Sequence, residues 1–312
     1  MRPISLALFF VVFSISQALS AEPVARAPYR IDYAGWFIVS ANVNGEGPYD
    51  FIIDSGTTRT LVFDNLATSA NFEETGGEQQ HVMSVGEAGF FPPYRIGEIA
   101  IGEARLTNLD SVILPAWMVD DRSPYGIIGS DFLAQFYVVF DAIRREIVFY
   151  DRSETGIAPP DWAEVPLKRE TFDLESGVLF TLEGVIERRK IEFLFDTGAV
   201  GTIINPPALG KIAKRRRSKG FFDPADQLTG KIIDALEEEH KIYGLRIRRF
   251  KSGENIWKSK VFIVFNAPIF ETLNRKDTPF GLFGADMLRD RSFALDLSRN
   301  LLLVGPVLEQ AS

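Results

Sequence analysis

The sequence predicts an all-β fold of two lobes related by pseudo-twofold symmetry, with one helical insertion in the C-terminal lobe. Two observations carry this. A pair of sequence blocks occurs twice in the same order, which marks a duplicated unit. Short β-branched and aromatic runs alternate with glycine turns through both copies, which is the pattern of strands and hairpins.

The first block is Phe51-Ile52-Ile53-Asp54-Ser55-Gly56, and its counterpart, 142 residues later, is Phe193-Leu194-Phe195-Asp196-Thr197-Gly198. Each follows an alternating, strand-like approach, Trp36 to Val43 in one case and Val178 to Val185 in the other. The second block is Tyr125-Gly126-Ile127-Ile128-Gly129-Ser130-Asp131-Phe132-Leu133, matched by Phe280-Gly281-Leu282-Phe283-Gly284-Ala285-Asp286-Met287-Leu288. The match continues without a gap, so that Asp141 falls on Asp296. Between the copies, Asp151 to Trp162 holds Gly156, Pro159 and Pro160 and reads as a linker. The expected division is an N-terminal lobe over 22–156 and a C-terminal lobe over 157–312. Leu228, Ile232, Ile233 and Leu236 recur at helical spacing, which predicts a helix from Ala225 to Lys241.

Residues 1–21 read as a signal peptide. Arg2 is the only charge before Glu22, Ile4 to Ile15 is nearly all apolar, and Ala18, Ser20 and Ala21 offer a cleavage site. The apolar run is short for a membrane span. The expected location is therefore periplasmic or secreted, with no membrane partner after cleavage. About 290 residues then remain, enough for an adequate core. The chain has no cysteine, which removes disulfides, thiolate metal sites and cysteine nucleophiles together and suits a bacterial periplasm. A net charge of −8 argues against nucleic acid as the main partner. The run Lys211 to Lys219, with Arg215-Arg216-Arg217, is the local exception. It reads as a solvated surface loop, with an anionic-lipid or nucleic-acid patch and a site of proteolytic nicking as its other uses.

An apolar strand ending in Asp-Ser/Thr-Gly places a carboxylate at a strand exit, on a turn where glycine permits close backbone approach. Two such carboxylates brought together cannot both ionise easily, and share one proton. The ionised member can take a proton from a water while the other donates to a substrate carbonyl. This chemistry requires neither metal nor covalent intermediate. His81 and His240 have no partner at metal-ligand spacing, and no metal or cofactor is expected. Trp36, Trp117, Trp162 and Trp257 are expected to fill cores or line a cleft.

The two Asp-Ser/Thr-Gly blocks, each followed by an apolar-apolar-Gly block, resemble the pepsin and retropepsin superfamily of aspartic peptidases, closest to the bacterial retropepsin-like type. The resemblance covers nearly the whole chain after residue 21. It implies closed-barrel lobes, a catalytic dyad of Asp54 and Asp196, and an endopeptidase that hydrolyses peptide bonds. It also implies that Gly56 and Gly198 hold the backbone against the shared water, and that Ser55 and Thr197 bond across the interface to the opposite loop. Ile127-Ile128-Gly129 and Leu282-Phe283-Gly284 would pack beneath the loops. Thr57 would hydrogen-bond Asp54 through its hydroxyl, which Ala199 cannot do for Asp196, leaving Asp54 the more readily ionised member. The stretch His81 to Phe90 is placed as a flap over substrate, with Ser84, Val85 and Gly86 as contact residues, although no tyrosine stands where pepsins carry one. The C-terminal lobe replaces this region with the segment Pro206 to Tyr243. The implied partner is a peptide or protein substrate, and the chain is expected to act as a monomer. A catalytically inactive peptide- or envelope-binding protein that keeps the fold is the alternative.

Overall fold

Apolar side chains at every second position build most of the chain into strands with one buried face. In Phe37–Val43, Val39, Ala41 and Val43 turn inward while Ser40 and Asn42 face solvent, and Ala163–Glu170 buries Val165 and Leu167 between exposed neighbours. A computed structural model of the chain describes residues 21–83, 88–116, 123–171, 177–218, 227–233 and 239–308. The fold is all-β with few helices, and six of its strands close into a barrel. Among the described residues no helix is long and apolar enough to cross a membrane.

A sheet of six strands runs through the middle of the molecule and draws on both copies of the repeat. Ala25–Ile31 pairs with Glu146–Asp151, which pairs with Phe136–Asp141. That strand meets Arg291–Asp296, with Val139 opposite Ala294. Leu301–Val307 and then Ala163–Glu170 complete the order. Across the central pairing the Phe140 and Phe293 rings stack at 4.2 Å. Tyr29 meets Phe140 edge-on at 5.7 Å, and Phe37 meets Phe293 edge-on at 5.6 Å. One apolar cluster runs through both copies, from Phe51 and Phe132 to Phe195 and Phe283. Both halves are thus anchored to one another well below the site.

The candidate loops leave this core in matching ways. Glu46–Ile53 pairs in parallel with Gly126–Ile128, and Arg189–Phe195 pairs in parallel with Phe280–Phe283. Each parallel pair joins the two sequence blocks of one copy. A Cβ on Gly126 would meet the Phe51 ring and the Leu61 carbonyl, and one on Gly281 would meet the Phe193 ring and the Ile203 carbonyl. The glycine at the second position of each second block is therefore a packing requirement.

The expected helix from Ala225 to Lys241 is not formed by its described residues. Gln227–Ile233 is a strand, paired antiparallel with Glu239–Ser252, with Ile232 opposite His240. Thr229, Ile232 and Ile233 are β-branched, and Gly230 weakens a helix at its centre, so the pairing with a long neighbouring strand decides the conformation. The helix of this region lies earlier, at Pro206–Ser218. It holds Lys211 and Arg215-Arg216-Arg217, which corrects the reading of the basic run as a loop; Lys219 falls outside the described residues. Residues 1–20 of the expected signal peptide also fall outside them.

Candidate active site

Each aspartate of the repeated triplets stands one residue beyond a fully buried strand end. Phe51, Ile52 and Ile53 lead to Asp54, whose N–H donates to the Ile128 carbonyl at 2.9 Å. Phe193, Leu194 and Phe195 lead to Asp196, whose N–H donates to the Phe283 carbonyl at 3.1 Å. The two loops face one another, and the Asp54 and Asp196 carboxyls are neighbours, each lying against the glycine of the opposite loop. A Cβ on Gly56 would collide with the Asp196 carboxyl, and one on Gly198 with the Asp54 carboxyl. Glycine is thus required at both positions by the opposite aspartate.

Ser55 and Thr197 tie the loops together. The Ser55 N–H donates to Thr197 Oγ1 at 3.0 Å, and that hydroxyl donates to the Ile53 carbonyl at 2.8 Å. In return the Thr197 N–H donates to Ser55 Oγ at 3.0 Å, and Ser55 Oγ donates to the Phe195 carbonyl at 3.1 Å. Both side chains are buried, so these four bonds have no competing water and each hydroxyl serves as donor and acceptor.

Backbone N–H groups converge on the carboxyls. Gly56 donates to Asp54 Oδ1 at 2.7 Å and Ala199 to Asp196 Oδ1 at 2.9 Å. The expected hydroxyl bond from Thr57 is not made. Thr57 reaches Asp54 through its backbone N–H, as Ala199 reaches Asp196, so the loop geometry supplies in both halves what a side chain was expected to supply in one. Burial lifts the Asp54 carboxyl above the ordinary aspartate range. Burial, and then the charge of Asp54 beside it, hold Asp196 well above that range. One proton is accordingly shared between the two carboxyls.

A deeper layer fixes the loops, and the sequence reading did not single it out. Thr60 and Thr202 each lie six residues beyond a triplet aspartate and are fully buried. Thr60 donates through Oγ1 to Asp131 Oδ1 at 2.7 Å and accepts the Gly129 N–H at 3.0 Å. Thr202 does the same with Asp286 at 2.8 Å and Gly284 at 3.2 Å. The N–H groups of Ser130 and Ala285 close the arrangement on the Thr57 and Ala199 carbonyls at 3.0 and 2.8 Å. Asp131 and Asp286 stood in the matched blocks, and the equal six-residue offset of Thr60 from Asp54 and of Thr202 from Asp196 was the available signal.

Residues 39–132 match the family model of an aspartyl protease. Over this span the chain is similar to retropepsin-like aspartyl proteases. The matched span holds Asp54, Thr60 and the Gly126–Asp131 block, while Asp196 lies outside it. No curated protein matches the chain.

The remaining expected site residues fall as follows. Gln80–Met83 and Ala88–Phe91 form a two-stranded hairpin, with Val82 opposite Gly89. Its tip, with Ser84, Val85 and Gly86, lies outside the described residues. Val82 and Phe91 pack with Trp36 and Leu114 against an apolar cluster built on Ile38, Ile52 and Phe63. Trp257 is buried and donates to the Met287 carbonyl at 2.7 Å. Trp36 is half-buried and reaches into the opposite half, and Trp117 lies outside the described residues.

Proposed function

We propose that the protein is an aspartic endopeptidase in which Asp54 and Asp196 together activate a water molecule against a peptide carbonyl. The facing of the two carboxyls across the loops, each against the opposite glycine where a side chain would collide with it, is the observation that carries this reading. Ionised Asp54 takes a proton from the water as its oxygen bonds to the scissile carbon. Protonated Asp196 gives its proton to the carbonyl oxygen, and a neutral gem-diol forms. In the second step the Asp54 proton passes to the amide nitrogen, Asp196 recovers a proton from the diol, and the C–N bond breaks. An extended peptide would lie below the hairpin of Gln80–Met83 and Ala88–Phe91. We further propose that the chain is exported on residues 1–21 and acts as a monomer outside the cytoplasm.

Activity in this scheme needs Asp54 charged and Asp196 protonated. The pH profile of kcat/KM is therefore bell-shaped, and because burial raises both groups its maximum lies above about pH 4, the ordinary aspartate range. Hydrolysis of an unfolded, fluorescein-labelled casein between about pH 3 and 8 is the measurement. A flat profile, or a maximum below pH 3, would count against the reading.

A further inference from the structure

One peptide unit of the second loop is held from both sides. The N–H of the Gly198–Ala199 unit donates to Asp196 Oδ1 at 2.9 Å, and its carbonyl accepts the Trp36 indole N–H at 2.7 Å. The unit is planar, so a rotation that turned the N–H away from the carboxyl would break the indole bond as well. Trp36 comes from the other half of the molecule, 162 residues earlier in the chain.

The indole is itself firmly placed. The N–H groups of Gly35 and Trp36 donate to Asp32 Oδ1 at 2.7 and 2.8 Å, and the Asp32 N–H donates to the Trp36 carbonyl at 3.1 Å. This closed turn needs Gly35 at φ +105°, where a side chain is strained. The Arg289 guanidinium fills the space a Cβ would take on Gly35 and donates to the Val200 carbonyl, two residues beyond Gly198. The turn is thus bonded to the second loop at the Gly198 carbonyl and packed against Arg289, which holds the Val200 carbonyl of the same loop.

Among the described residues the first loop has no such support. Val178 stands where the repeat places the equivalent of Trp36 and has no side-chain donor. Among the described residues no side chain donates to the Gly56 carbonyl. Among the described residues the support thus serves Asp196, the carboxyl that must give up a proton and recover it in each turnover.

We propose that Trp36 is a positioning residue for Asp196: by fixing the Gly198–Ala199 peptide across the interface, it keeps a backbone N–H on that carboxyl when the carboxyl becomes charged. This rests on the reading of Asp54 and Asp196 as the catalytic pair. Asp54 is the titratable group that faces Asp196, with the Gly198 and Ala199 N–H groups as its other polar neighbours.

Trp36→Phe keeps an aromatic ring and removes the donor. Its kcat on labelled casein falls about tenfold, the weight of one hydrogen bond to a charged group, while KM changes less than about twofold. The charged form of Asp196 loses a bond, so the basic limb of the pH profile moves up by about half to one pH unit. Tyr137→Phe removes a buried hydrogen bond from the Ala158 N–H, far from the loops, and is the control: it lowers stability and leaves the limb in place. Carboxyl carbon NMR titration reads the same effect without turnover. The upper step of the Asp54/Asp196 pair rises in Trp36→Phe and not in Tyr137→Phe.

If Asp54→Asn and Asp196→Asn are inert while Trp36→Phe matches wild type in kcat, basic limb and carboxyl titration, the Trp36 proposal is overturned and the catalytic reading stands. If both Asp→Asn variants cleave casein as wild type does, the catalytic reading fails and takes this proposal with it.

Discussion

Asp54→Asn and Asp196→Asn each lower kcat for casein hydrolysis by about 10²–10⁴-fold, the range of a lost general acid or base, and Asp196→Asn also makes the protein harder to unfold at neutral pH. Both effects have one cause. Asp196 is only 4% exposed and sits against a second carboxyl, so its charged form is disfavoured in the folded state and its folded pKa is raised well above the unfolded value. A group raised in this sense contributes its stability fully below the unfolded pKa and loses it as pH rises through the folded pKa. Asparagine has no proton to lose. The stability gain of Asp196→Asn is therefore largest at pH 7 and disappears below about pH 4, where the wild-type carboxyl is protonated in both states. Thermal melts of wild type and variant at pH 3.5 and pH 7 test it, at about 2–4 °C for each kcal/mol in a chain of this size. An equal shift at both pH values would show that packing, and not the carboxyl, is responsible. The double variant is expected to be no slower than the worse single one, because the two carboxyls act as a unit.

What the sequence revealed and what it hid divide by range. The triplets, the Gly126 and Gly281 blocks and the all-β class were legible because each is a local signal occurring twice, and repetition cancels chance. The conformation of Gln227–Ile233 was misjudged because Leu228, Ile232 and Ile233 fit a helical period and a strand equally well. Only the pairing with Glu239–Ser252 separates the two, and a pairing partner cannot be read from a short window. Thr57 failed as a hydroxyl donor for a related reason. The loop already points a backbone N–H at Asp54, and the side chain at that position is not called upon. The roles of Trp36 and Arg289 were hidden, since the contacts of Trp36 with Gly198 and of Arg289 with Gly35 cross from one half to the other. Nothing local marks a residue whose role lies in the opposite lobe.

Thr197→Val is expected to lower stability by about 2–5 kcal/mol, because it strands two buried backbone groups at once. The Thr197 hydroxyl accepts the Ser55 N–H and donates to the Ile53 carbonyl, and Ile53, Ser55 and Thr197 are all 1% exposed or less. No water reaches those groups when the hydroxyl is replaced by a methyl of the same shape. The melting temperature falls by about 5–15 °C accordingly. Thr197→Ser keeps both bonds and loses one methyl, at about 1 kcal/mol, so the contrast between the two variants isolates the hydroxyl from the packing. Ser55→Ala removes the mirror bonds to Phe195 and Thr197 and should cost a similar amount. The two losses combined are less than additive, because the four bonds form one network and the second substitution acts on loops already released. Activity follows the same order. The carboxyls meet only while the loops are held together, and a displacement of about 1 Å is enough to cost roughly 10²-fold in kcat. Thr197→Ser should therefore retain most of the wild-type rate and Thr197→Val little of it, and equal rates in the two would mean that the central sheet alone, with Phe140 stacked on Phe293, keeps Asp54 and Asp196 in register.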